Sequence, residues 1–174
     1  MNFDTIEYLQ EGTQRQREAH RVLTEYRVLP KLKLFAPILV GTIPINIDID
    51  TSDLDIICHW THKQLFTRAV IDAFGGEKGF SFRESFVSEH EVVVANFEIG
   101  GFEIEIFGQN MPTKQQMAYR HMLIEYRLLT ERGEAFRQAV IDLKWKGHKT
   151  EPAFGILLGL QGNPYVELLA YEVE

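Results

Sequence analysis

Cysteine is nearly missing from this sequence: Cys58 is the only one in 174 residues. An internal disulfide is therefore excluded, and the apolar neighbours of Cys58 place it in a buried strand of a protein kept in a reducing, cytoplasmic setting. Positive charge is also in deficit, with 18 Lys and Arg against 25 Asp and Glu and a net charge of −7. That balance opposes attraction to phosphate backbones and to anionic lipid, so neither long nucleic acid nor a membrane surface is expected as a partner. No apolar run approaches membrane-spanning length. Residues Met1 to Gln10 carry two acidic groups and Tyr8 where an export signal would need positive charge followed by an apolar stretch. Low-complexity tracts and internal repeats are missing too, and glycine and proline punctuate periodic segments without forming linkers. What the chain does have is an apolar fraction of 45%. This is enough to cover both faces of a sheet, and the length fits a single domain over 1–174.

The periodic segments predict the elements. Thr13 and Gln16 have capping-box spacing, and Ala19, Val22, Leu23 and Tyr26 continue at helical intervals until Pro30. Pro37 to Val40 and Leu54 to Cys58 read as short, largely buried strands. Thr61 and Gln64 repeat the capping spacing ahead of a helix that stops at Gly75 and Gly76. Aromatic and β-branched residues then mark strands over Phe80 to Val87 and Val92 to Ile99, and Gly100 with Gly101 links the second of these to a strand over Phe102 to Phe107. The Phe-rich strands are expected to be core. Thr113 and Gln116 open a long helix through Arg132, another helix runs from Glu134 to near Gly147, and short helical turns fill Glu151 to Tyr171. This order predicts an α/β (α+β) protein whose mixed sheet is backed by helices on at least one face, with extra helices at the C-terminal end.

Two carboxylates stand out because of where they fall. Asp53 and Asp55 lie two residues apart at the start of a strand, so their side chains share one face. A hard cation such as Mg²⁺ is held by carboxylates together with substrate phosphates. Asp48 and Asp50 have the same spacing, but no strongly apolar strand follows directly behind them. Further on, Glu103 and Glu105 alternate with Phe102, Ile104 and Ile106, and either glutamate can complete an acidic cluster. Ser52 has two readings: it closes its own turn, or it contacts a ligand.

Gly41-Thr42, the later Ser52-Asp53-Leu54-Asp55-Ile56 and Ile104-Glu105-Ile106 resemble the signature of DNA polymerase beta-like nucleotidyltransferases. Leu39 to Pro44, Ser52 to Ile57, Phe102 to Gln109, Tyr119 to Met122 and Lys149 to Pro152 more closely resemble a bacterial family of unknown function assigned to that superfamily. The resemblance implies a nucleotidyltransferase-like mixed sheet. It also implies that Gly41 and Thr42 contact a nucleoside triphosphate, that Asp53 and Asp55 hold Mg²⁺ or Mn²⁺, and that Glu105, chosen over Glu103, joins them and helps activate an acceptor hydroxyl. The implied reaction is transfer of a nucleoside monophosphate to an unknown small-molecule or protein acceptor.

This sequence departs from the pattern in two ways. Thr42 stands where the superfamily usually has serine, and no Lys or Arg lies between Thr42 and Asp53. Cations for the phosphates must then come from elsewhere, with Arg83, Arg120, Arg127 and Lys149 as candidates. The alternatives are a catalytically silent nucleotide-binding module of the same fold and a metal-dependent phosphohydrolase using the same acids. Arg127 also has Glu131 four residues on, which suits a solvated ion pair. Cys58, His59 and His62 superficially suggest zinc, but no fourth ligand follows. Tyr119, Met122, Tyr126 and Leu129 are expected to pack the core.

Overall fold

The structure, a computed structural model, describes residues 1–87 and 89–172. Among them, five strands form one mixed sheet: β1 (Ile38–Val40), β2 (Leu54–His59), β3 (Lys78–Val87), β4 (His90–Ile99) and β5 (Phe102–Gln109). Their spatial order is β1-β2-β5-β4-β3, with β2 and β5 parallel and the other neighbours antiparallel. The α-helices are α1 (Gln14–Glu25), α2 (Val28–Lys31), α3 (Lys63–Phe74), α4 (Met117–Arg132), α5 (Glu134–Trp145), α6 (Thr150–Leu158) and α7 (Pro164–Glu167). No described helix is long and apolar enough to cross a membrane.

Strand alternation divides the apolar residues between two cores. Leu39, Leu54, Ile56, Cys58, Ile104 and Ile106 point to one face and pack with Val22 and Leu23 of α1 and Phe66 and Val70 of α3. Ile38, Val40 and Ile57 point to the other face and pack with Met122 and Leu129 of α4, Val140 of α5 and Phe154 of α6. Because side chains alternate, Asp55 and Glu105 must lie on this second face. Gly100 (φ 58°) and Gly101 (φ 85°) make the β4–β5 turn with the positive φ pair of a tight hairpin.

The three capping-box spacings have different outcomes. At α1 the box forms: Thr13 Oγ1 accepts from Gln16 N at 3.3 Å, and Gln16 Oε1 accepts from Thr13 N at 2.9 Å. At α3 the helix starts one turn position later than Thr61 implies, with His62 at the N-cap and no side-chain cap bond. Before α4, Thr113–Gln115 is a 3-10 turn, and the Gln116 amide instead donates to the carbonyls of Cys58 (3.0 Å) and Met111 (2.9 Å). Pro30 is not what ends α1. Arg27 (φ 55°) breaks the helix first, and Pro30 sits inside the short α2, where a first turn tolerates it. On the edge strand β3 the expectation of core aromatics fails at Phe86, which is 68% exposed because β3 has a strand neighbour on one side only among the described residues.

Candidate active site

Register places the acids in a row across the sheet. Val40 is paired with Asp55, Asp55 with Glu105, and Glu105 with Asn96 on β4. Asn96 Nδ2 donates to Glu105 Oε2 at 3.2 Å, and Arg83 Nη1 donates to Asn96 Oδ1 at 3.1 Å. Arg83 Nη2 also lies 3.8 Å from Glu105 Oε2. At the end of β1 the chain turns at Gly41 with φ 85°, and a Cβ at that position would collide with Asp55 Oδ2. Only glycine combines this backbone conformation with that space.

The segment from Gly41 to Asp53 contains no strand or α-helix, yet side chains from elsewhere bind its carbonyls. Gln16 Nε2 donates to Ile43 O (2.8 Å) and Pro44 O (3.2 Å), and Arg137 Nη1 to Ile45 O (2.6 Å) and Asn46 O (3.0 Å). Lys144 Nζ donates to Ile47 O (2.8 Å), and Arg15 Nη2 to Asp50 O (3.3 Å) and Ser52 O (2.9 Å). Inside the loop, Ser52 Oγ accepts from Ile49 N (3.0 Å) and from the Thr42 hydroxyl (3.2 Å). Ser52 therefore closes its own loop while facing the same space as Thr42. Asp48 pairs with Arg15 at 3.7 Å.

Between this loop, the second face of the sheet and helices α4 to α6 lies a cavity of about 970 Å³. Gly41, Thr42, Ser52, Asp53, Asp55 and Glu105 line its sheet side, and Lys149, at the N-cap of α6, lines its helix side. Arg120 is not brought there. It does not line the cavity, because its guanidinium is paired with Glu172, Nε donating to Oε1 at 2.9 Å. Arg127 is likewise engaged, with Glu131 at 3.8 Å and the Tyr171 carbonyl.

Sequence reasoning missed Lys144, Glu125, Gln116 and Glu151, all of which line the cavity. Lys144 is 7% exposed, and burial pulls its ammonium down to about 8 against the attraction of Asp48, Glu125, Asp53 and Asp55. It places a positive charge beside a loop that has no Lys or Arg of its own. Glu125 is 4% exposed, and burial, with Glu151 adding repulsion, raises its carboxyl well above the usual range. A signal for Glu125 was present, since it falls on the same helical stripe as Met122 and Leu129, where a charged residue is out of place. Lys144 gave no such signal within the basic run ending α5.

Burial, then repulsion from Asp53 and Glu105, pushes Asp55 up to about 7, with Lys144 and Lys149 opposing the rise. A carboxylate in this position lacks positive charge, and a divalent cation would supply it. Among the described residues no three His, Cys, Asp or Glu side chains stand close enough to make a ready-made ligand set. The donor set fits a cation of the Mg²⁺ type, which takes one or two carboxylates and completes its shell with water and phosphate oxygens.

The fold defined by this sheet and its helices is that of the nucleotidyltransferases. It is similar to Cid1, an RNA terminal uridylyl transferase (TM-score 0.57, 12% identity, 88% of this chain and 52% of that one). It is also similar to a Cid1 poly(U) polymerase structure with MgGTP bound (TM-score 0.56, 13% identity, 88% and 53%). A third similar structure is the GLD-2/RNP-8 complex (TM-score 0.54, 16% identity, 88% and 63%). The chain thus spans between about half and two thirds of the length of these structures. No curated protein matches it in sequence. By sequence the chain belongs to the family "Domain of unknown function (DUF4269)", whose profile matches residues 21–171.

Proposed function

We propose that this protein transfers a nucleoside monophosphate from a nucleoside triphosphate to a hydroxyl of a small-molecule or protein acceptor, in the presence of Mg²⁺ or Mn²⁺, in a reducing cytoplasm. One observation carries the reading. Asp55 and Glu105 stand in register on adjacent parallel strands, facing a cavity, beside a glycine whose missing side chain leaves room at Asp55 Oδ2. The Cid1 structure with MgGTP bound supports a nucleotide with a divalent metal as ligand for this fold.

In this reading Asp53 and Asp55 hold the cation, with Glu105 beside them. When bound, the metal neutralises charge on the phosphates and orients them for in-line attack. Gly41, Thr42 and Ser52 lie along the triphosphate, and Lys144 and Lys149 offset its charge. The acceptor oxygen bonds to the α-phosphorus as the bond between the α-phosphorus and its bridging oxygen to the β-phosphate breaks. Pyrophosphate leaves with that oxygen, and the hydroxyl proton passes to the Glu105 carboxylate, which Asn96 and Arg83 hold in place. Among the described residues, five carboxylates against two lysines line the cavity. That balance disfavours a long polyanion as acceptor.

Calorimetric titration of Mg²⁺ with each triphosphate, followed by assay of pyrophosphate release with candidate acceptors, tests the proposal. Binding abolished by Asp55→Asn together with pyrophosphate release supports transfer. The second reading, a silent nucleotide-binding module, draws on the cation-free loop and the open ligand set, and it requires binding with no release. Release of inorganic phosphate instead would point to a hydrolase. Failure of every triphosphate to bind would sink all three.

A further inference from the structure

The helix side of the cavity carries polar groups for which nucleotidyl transfer alone has no use. Among the described residues, two buried oxygens there have no hydrogen-bond partner: Gln116 Oε1, at the start of α4, and Glu125 Oε1, two and a half turns further on. Both residues line the cavity and are almost fully buried, at 1% and 4% exposure. Leaving such acceptors unpaired is costly, and native proteins rarely do so without a reason. Their own protein neighbours do not relieve them. The Gln116 amide nitrogen is already bonded to two carbonyls, and Lys144 donates to the Ile47 carbonyl. His121 donates from Nε2 to the Tyr165 carbonyl at 2.9 Å and places Nδ1 3.5 Å from Glu151 Oε1, so Glu151, on α6, keeps an oxygen for the cavity.

The free oxygens of Gln116, Glu125 and Glu151 are therefore acceptors, two of them on carboxyl groups, and they lie in the same cavity as the Asp55–Glu105 row, with Lys149 also on this side. A primary ammonium offers three donors and a positive charge, whereas an alcohol offers one donor and none. We propose that Glu125, Gln116 and Glu151 form a subsite for the ammonium end of the acceptor, and that the acceptor is a small amino alcohol whose hydroxyl reaches toward Asp55 and Glu105. This deepens the transferase reading and rests on it for the role of the hydroxyl. The ammonium subsite itself can be tested without nucleotide.

The test uses the full chain and two probes of equal length, 4-amino-1-butanol and 1,4-butanediol, with binding read by calorimetry or ligand-detected NMR. The amino alcohol should bind at least about tenfold more tightly than the diol, and Glu125→Gln should remove most of that preference, since a buried charge-assisted hydrogen bond is worth about tenfold or more. Equal binding of the two probes to the unaltered chain, or an unchanged preference in Glu125→Gln, overturns the proposal. If circular dichroism shows that Glu125→Gln does not fold, Glu151→Gln serves in its place. There the preference should fall by a smaller factor of about threefold, as for a partly exposed charge pair, and no fall overturns the subsite. Mg²⁺–triphosphate binding is measured separately on the unaltered chain, so its failure strikes the transferase reading while the amine preference still decides the subsite.

Discussion

The two walls of the cavity are built on opposite plans. On the sheet wall, a loop with no regular structure has its carbonyls satisfied by Gln16, Arg15, Arg137 and Lys144, side chains brought from α1 and α5. On the helix wall the backbone is mostly helical, while the side chains of Gln116 and Glu125 keep bare acceptors. The loop is held so that Gly41, Thr42 and Ser52 keep one shape before any ligand arrives, as preorganised sites require. The helix wall has unmet hydrogen bonds that a ligand would complete. Irregular backbone here goes with satisfied carbonyls, and regular helix goes with unpaired side-chain acceptors.

The sharpest way to break this contrast is at the acid row. Asp55→Ala should lower pyrophosphate release by roughly a thousandfold or more, because several kcal/mol of metal-mediated charge stabilisation depends on that carboxylate. A loss of only a fewfold would mean that the register of Asp55 with Glu105 has no chemical purpose. Next in size is Gly41→Ala, which asks whether the loop's shape matters. The left-handed backbone alone should cost about 1–2 kcal/mol in stability, and the new Cβ would press on Asp55 Oδ2. Activity should fall by about a hundredfold, as displacements of about 1 Å at a reacting centre do. Urea unfolding and a steady-state assay read the two effects separately, and a full-strength enzyme with reduced stability would show that Asp55 has room to move.

The sheet wall was largely legible in the sequence and the helix wall was not. Alternation around Asp55 and Glu105 and the double glycine at the hairpin are local signals, and strand geometry converts them directly into a shared face. The loop's anchors were invisible because Gln16 and Arg137 lie 27 and 92 residues from carbonyls that any sequence would present. The capping spacing shows the same limit. Thr13 and Gln16 form the box, whereas Gln116, at identical spacing, is drawn to the Cys58 and Met111 carbonyls by tertiary contact. Of the cations expected from outside the motif, Lys149 lines the cavity, and so does Lys144 on α5, which no local pattern marked because sequence distance carries no information about space.

A smaller effect, on stability alone, should distinguish the walls by pH. Glu125 has its carboxyl raised in the folded protein above its ordinary 4.5, chiefly by burial. The folded state then holds a proton that the unfolded state releases, so Glu125 lowers stability progressively as pH rises from about 4.5. Lys144 acts in the opposite sense at higher pH. Its folded value of about 8 lies below 10.5, so the cost of burying its charge is present in full below about 8 and fades between 8 and 10.5. Metal-free melting curves of Glu125→Gln should therefore match the unaltered protein near pH 4 and exceed it by several degrees at pH 7.5, on the scale of about 2–4 °C per kcal/mol. A difference independent of pH would show that Glu125 does not titrate in this range.

The smallest expected effect falls outside both walls, at Arg120. It is one of the cations expected to offset the phosphates in place of a basic loop residue, but in the structure it binds Glu172, with about a third of its side chain open to solvent. A pair this exposed is screened and contributes at most about 0–1 kcal/mol. Arg120→Ala should leave Mg²⁺–triphosphate affinity unchanged within about twofold, the resolution of additivity for distant sites, and should shift the melting temperature by about 4 °C or less. Lys144→Met, by contrast, removes the buried cation that couples electrically to Asp53 and Asp55. Its loss should weaken triphosphate binding by about tenfold or more, the worth of one charge-assisted hydrogen bond. If Arg120→Ala proved the more damaging of the two, the phosphates would have to lie on the outer side of α4, and the cavity between the two walls would not be where the nucleotide binds.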